Sequence, residues 1–115
     1  SVLGVNAMKA EISARGPIAC SMYAHADIFE NYEGGIIQDT TKYSGTTHVV
    51  NVVGFSKSEE GVPYWIVRNS FGTYWGELGY YRVEIGKNIY NMESSNCSWA
   101  VPDSEFISLL KRLRV

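Results

Sequence analysis

Two β-rich runs constrain this chain more than any other stretch. His48-Val49-Val50-Asn51-Val52-Val53-Gly54-Phe55 opens on a histidine, and Tyr64-Trp65-Ile66-Val67-Arg68-Asn69-Ser70 closes just past an asparagine. Between them lies a charged loop, Ser56 to Val62, that stops before Pro63. So short a connection suits an antiparallel hairpin, because a parallel crossover needs a dozen or more residues. In the first run His48, Val50 and Val52 share one face, and Val49, Asn51, Val53 and Phe55 share the other. Both faces are mostly apolar, which predicts a central, buried strand. The pairing has a chemical consequence. Antiparallel neighbours can set an imidazole within hydrogen-bond reach of a carboxamide. An amide oxygen that accepts from one ring nitrogen fixes the tautomer and leaves the other nitrogen facing a nucleophile. The plain alternative is a satisfied core histidine beside a turn-forming asparagine, and on these residues alone both readings stand.

The rest of the chain predicts an α+β fold. Asn6 to Arg15 reads as a short helix capped by Asn6 and stopped by Gly16-Pro17. Pro17 to Tyr23 is strand-like, and Ala24 to Asn31 is a second short helix with Ile28 and Phe29 inward. Gly34-Gly35 signals a turn before a short strand at Ile36-Ile37. Gln38 to Thr47 is a polar loop. Ser70 to Gly79 interleaves glycines with aromatics, Tyr80 to Ile85 is a strand, and Gly86 to Ser95 is a polar connection. Cys97 to Pro102 closes the core. Asp103 to Val115 changes character: Ser104 can cap an amphipathic helix that places Phe106, Ile107, Leu110 and Leu113 on one side. The expected organisation is therefore residues 1–102 as one domain and 103–115 as an extra tail. Such a tail docks on a partner or a membrane surface, or else packs on its own domain or frays.

Charge narrows the partners. With 12 acidic residues against 10 Lys+Arg, the net charge of -2 provides no basic field for a nucleic acid. No apolar run reaches the roughly 18 residues a membrane span needs, which argues against a membrane partner. Without an initiator Met or a charged-then-apolar leader, the chain reads as a processed product or a fragment. Nothing implies a metal or another cofactor. There are two cysteines, Cys20 and Cys97, and their count fits either one disulfide or two buried thiols.

Asn69-Ser70-Phe71-Gly72-Thr73-Tyr74-Trp75-Gly76-Glu77-Leu78-Gly79-Tyr80 resembles the segment that follows the catalytic asparagine of papain-like cysteine peptidases. Gly16-Pro17-Ile18, Tyr32-Glu33-Gly34-Gly35-Ile36 and Tyr64-Trp65-Ile66-Val67-Arg68-Asn69 resemble that family in the same order. Within it, Pro17-Ile18-Ala19-Cys20, Asn31-Tyr32, Arg68-Asn69 and Tyr90-Asn91 before Cys97 are most similar to the cathepsin X (cathepsin Z) branch. The resemblance implies the β-rich, antiparallel, barrel-like right-hand half of the fold. It makes His48 the general base and Asn69 its orienter in a Cys-His-Asn triad. It makes Phe71 the ring over the His–Asn bond, where relatives carry Trp, and gives Trp75 a role in shaping the leaving-group side of the cleft. By position, Ser21, Thr46 and Thr47 line the cleft near a substrate side chain. His25 matches no motif and reads as a solvated surface residue.

The family's nucleophile lies about 130 residues before the histidine, near the mature N-terminus. Neither Cys20, in Gly-Pro-Ile-Ala-Cys, nor Cys97 sits in its signature. In cathepsin X-like proteins the matching pair forms a disulfide, which implies a Cys20–Cys97 bridge and makes Asn96-Cys97-Ser98 a poor glycosylation acceptor. The implied partners are an N-terminal half carrying the catalytic Cys and a peptide substrate. The implied location is lysosomal or secreted, and the implied activity is that of a carboxypeptidase. The alternative is a non-catalytic papain-like module kept for binding or structure.

Overall fold

The computed structural model describes residues 2–99, so the predicted tail helix over 103–115 lies outside the described residues. The elements run α1 (Val5–Arg15), β1 (Ile18–Met22), α2 (Asp27–Glu30), β2 (Ile36–Ile37), β3 (His48–Lys57), β4 (Pro63–Arg68), β5 (Tyr80–Glu84), a 3-10 segment (Ile89–Ser94) and β6 (Ser98–Trp99). Among the described residues, six strands form one sheet in the order β2-β5-β4-β3-β1-β6. Every pairing is antiparallel except β2 with β5. β2 and β6 end the order without pairing to each other, so the α+β domain is built on a mixed sheet and not on a closed barrel.

Most elements stand where residue patterning places them. The departures have physical causes. Gly4, not Asn6, occupies the N-cap of α1, at φ 88°, a backbone conformation that glycine adopts freely. α2 is a single turn, and only Phe29 of the expected Ile28–Phe29 pair is buried, while Ile28 is 56% exposed. Adjacent helical positions lie about 100° apart, and the core side of this single turn takes Phe29 alone. β3 pairs with β4 as a hairpin, but its register shifts between Val52 and Gly54. That bulge turns Phe55 to the core side, opposite Trp65, instead of leaving it with Val49. Val49 remains on the other face and is 61% exposed.

The stretch read as a polar connection is partly core. Ile89, Tyr90 and Met92 are buried there, and so is Glu93. The Glu93 carboxylate accepts from Trp65 Nε1 at 2.9 Å and from the backbone N–H groups of Gly86 and Asn88 at 2.8 and 3.0 Å. Three donors satisfy a carboxylate that would otherwise be costly to bury. Cys20 and Cys97 are both buried and are joined by a disulfide. The bond fastens the segment entering β6 to β1, where Ile18 and Ala19 pair with β6.

Candidate active site

β3 begins at His48, whose cross-strand partner is Met22 of β1. The preceding residue anchors this corner: the Thr47 N–H donates to Met22 O at 2.8 Å, and the Ala24 N–H donates to Thr47 Oγ1 at 3.1 Å. β4 ends at Arg68, which pairs with Asn51. Extending that register by one residue sets Asn69 opposite Val50 and diagonal to His48, on the face that Val50 and Val52 bury. Diagonal neighbours across antiparallel strands are within reach of long side chains.

The side chains meet. His48 Nε2 lies 2.7 Å from Asn69 Oδ1. The same oxygen accepts the Ser70 N–H at 2.8 Å, and this defines the amide's orientation, because a flipped amide would point its NH2 at another donor. Nε2 must therefore carry the hydrogen and donate it. Nδ1 is left with its lone pair, and no described side chain bonds it. Asn69 is 8% exposed, and its own N–H donates to Gly79 O at 3.0 Å, which ties it to the far end of the 70–79 loop.

That loop supplies the walls. The Phe71 ring sits 5.3 Å from the His48 ring, tilted by 32°. Trp75 stands nearly perpendicular to Phe71 at 5.3 Å and packs on Phe29 at 5.0 Å. Phe71 thus covers one side of the imidazole with apolar surface, although it lacks an indole N–H. Gly76 shows why the loop needs glycine: at φ 61° a Cβ would lie 2.7 Å from Tyr80 O. Below it, Arg82 donates two hydrogen bonds to Glu77, at 2.9 and 2.8 Å. Arg82 chiefly, helped by the Gly35 N–H, holds the Glu77 carboxyl below its ordinary range.

A groove of about 510 Å³ opens beside His48. Thr47, Phe71 and Trp75 line it, as do Ala24, His25, Glu30 and Tyr74. Ser21 and Thr46 do not. Ser21 pairs with Val49, so those two occupy the opposite face of the sheet from His48. Thr46 is exposed at the entry to β3. His25 is indeed exposed, but it borders the groove and is not a remote surface residue. The groove also includes Glu30 and Tyr74, which the sequence did not single out. The aromatic 70–79 loop was a signal for Tyr74, while α2 carried none for Glu30.

Comparison with known proteins places these residues in a family. The family described as papain family cysteine protease matches residues 3–100. Cathepsin Z of Onchocerca volvulus is 42% identical over 109 residues, covering 89% of this chain and 35% of that protein. Digestive procathepsin L 3 of the Tenebrio molitor larval midgut superposes with a TM-score of 0.75 at 32% identity, over 84% of this chain and 32% of that one. A structure from work on antibody cross-reactivity between the mite allergens Blo t 1 and Der p 1 superposes with a TM-score of 0.78 at 31% identity, over 86% and 32%. The chain spans about a third of the length of these relatives.

Proposed function

Since the chain belongs to the papain family of cysteine proteases, we propose that it supplies the base and the orienter of a peptide-bond hydrolase whose thiol lies outside these 115 residues. The observation that carries this reading is the 2.7 Å contact between His48 Nε2 and Asn69 Oδ1, with Nδ1 unbonded by any described side chain. The only two cysteines are bonded to each other, so no thiol of this chain is available to attack.

The chemistry follows from that geometry. A thiol brought to Nδ1 gives its proton to the ring, and the resulting thiolate is the competent nucleophile. The imidazolium then donates hydrogen bonds from both nitrogens, one toward the sulfur and one to Asn69. The thiolate adds to the scissile carbonyl, the imidazolium protonates the leaving amine, and the freed ring activates the water that hydrolyses the thioester. Asn69 holds the ring plane, while Phe71 keeps water from one side of it. On the outer face, Ser21 and exposed Val49 offer a contact for a substrate side chain, and Thr46 and Thr47 border the approach to His48.

The finer reading is a cathepsin X-like carboxypeptidase, supported by the likeness to cathepsin Z. In this reading residues 1–102 pair with an N-terminal half that carries the catalytic Cys. The buried disulfide suits an oxidising compartment, which means a lysosomal or secreted location. The test is to produce the complete protein and label it with a thiol-directed affinity probe for cysteine peptidases. Peptides ending in a free carboxylate are then compared with the same peptides amidated. The expected results are one labelled Cys outside this chain and release of single C-terminal residues from the free-acid peptides only. Equal cleavage of amidated peptides rules out the carboxypeptidase reading. Absence of both label and hydrolysis leaves the non-catalytic module.

A further inference from the structure

The groove beside His48 contains a carboxylate that the proposed reaction does not use. The Glu30 side chain is half exposed on the groove wall, and its ion-pair partner among the described residues is His25 Nδ1 at 3.7 Å. That distance is too long for a hydrogen bond, so both carboxylate oxygens retain acceptor capacity. Among the described residues no lysine or arginine lines the groove; the side chains there able to carry positive charge are His25 and His48. The other walls are aromatic. Phe71 and Trp75 form one side, and Trp75 Nε1 donates to the Glu30 backbone oxygen at 3.4 Å, which fastens the indole to α2. Tyr74 stands at the rim, 88% exposed. Its ring lies against Gly72, where a Cβ would come within 2.8 Å of Tyr74 Cε1, so the ring and the loop backbone are seated on each other.

We infer that Glu30 makes this groove a subsite for a cationic side chain, lysine or arginine, of the bound peptide. This rests on the peptidase reading above and adds the chemistry of one substrate residue. The long stem of such a side chain packs along the Phe71, Trp75 and Tyr74 rings, and its charged end reaches Glu30. The charge gains both an ion pair and the faces of aromatic rings. An acidic side chain meets repulsion from Glu30 and finds no fixed cation among the described residues that line the groove. His25 acts as an internal competitor, since its ring already lies on the Glu30 side of the groove.

The experiment uses the complete protein and peptide pairs with lysine or norleucine at each position within two residues of the scissile bond. At one position lysine is preferred in kcat/KM by about three- to thirtyfold, the range set by an exposed ion pair plus a cation–π contact. Glu30→Gln lowers that ratio by the ion-pair share, about 1.4- to fivefold, and leaves the part that the aromatic rings supply, Glu30→Asp keeps more of it, and His25→Ala raises it. A wild-type protein indifferent to lysine at every position overturns the inference, as does a Glu30→Gln protein whose lysine-to-norleucine ratio is unchanged. Calorimetric binding of the same peptides separates this inference from the peptidase reading. Tighter binding of the lysine peptide without hydrolysis supports the groove and refutes the reaction. Hydrolysis without a preference does the reverse.

Discussion

The Asn69→Ala substitution tests the orienting role most directly. Asn69 Oδ1 accepts from His48 Nε2 at 2.7 Å and from the Ser70 N–H at 2.8 Å, and the residue is 8% exposed. Deleting the amide removes both acceptor contacts. Ser70 is exposed, so water can replace the partner of its N–H. His48 has no such replacement on its buried side. A hydrogen bond from a charged imidazolium is worth about 1.5–3 kcal/mol. At about 1.4 kcal/mol per decade, kcat/KM falls by about 10- to 150-fold. The assay is hydrolysis of a quenched fluorescent peptide by the complete protein, with a thermal melt to verify folding. A double-mutant cycle sharpens it. In a His48→Ala background Asn69 has no ring to hold, so Asn69→Ala costs less than about twofold there. A folded Asn69→Ala protein that loses less than about threefold, or two losses that simply add, refutes the reasoning.

Two further outcomes concern the scaffold. Replacing Cys20 and Cys97 together by Ala opens a crosslink with a sequence separation of 77. The chain-entropy relation puts the loss at about 4.5 kcal/mol, read as the shift in urea unfolding under oxidising conditions; a loss below about 1 kcal/mol would contradict it. The second is a pH effect. Chiefly through the Arg82 hydrogen bonds, the folded Glu77 carboxyl lies below its unfolded value. Its contribution to stability is therefore complete above the unfolded carboxylate range, near pH 4.3. That contribution disappears as pH falls through the lowered folded value. Glu77→Gln consequently flattens the acid limb of a stability-versus-pH curve and lowers the plateau above it. An unchanged acid limb means the pair contributes nothing.

The hairpin was legible because its information is local. Alternating apolar residues from His48 to Phe55, a short polar loop and a second β-rich run specify strand, turn and strand with no distant contact. The order of motifs from Gly16-Pro17 to Tyr80 was likewise enough to suggest the family. Glu93 was not legible. A glutamate in a polar stretch reads as surface until Trp65 Nε1 and two backbone N–H groups converge on it. Phe55 was placed on the wrong face because one extra residue in a bulge reverses the alternation, and that extra residue leaves no mark on a period of two.

By itself the sequence determined which segments become strands and that a histidine and an asparagine end neighbouring ones. These are consequences of side-chain period, turn chemistry and backbone preference over a few residues. Only the tertiary structure decided that Asn69 Oδ1 faces Nε2, leaving Nδ1 free, because this depends on register and on the Ser70 N–H. It also decided that α2 lies against the 70–79 loop, so that His25 and Glu30 share a groove with His48. Residues so far apart in the chain meet only when the aromatic core of Phe29, Phe71 and Trp75 packs. Packing acts on the folded surface as a whole, and no local pattern in the chain announces it.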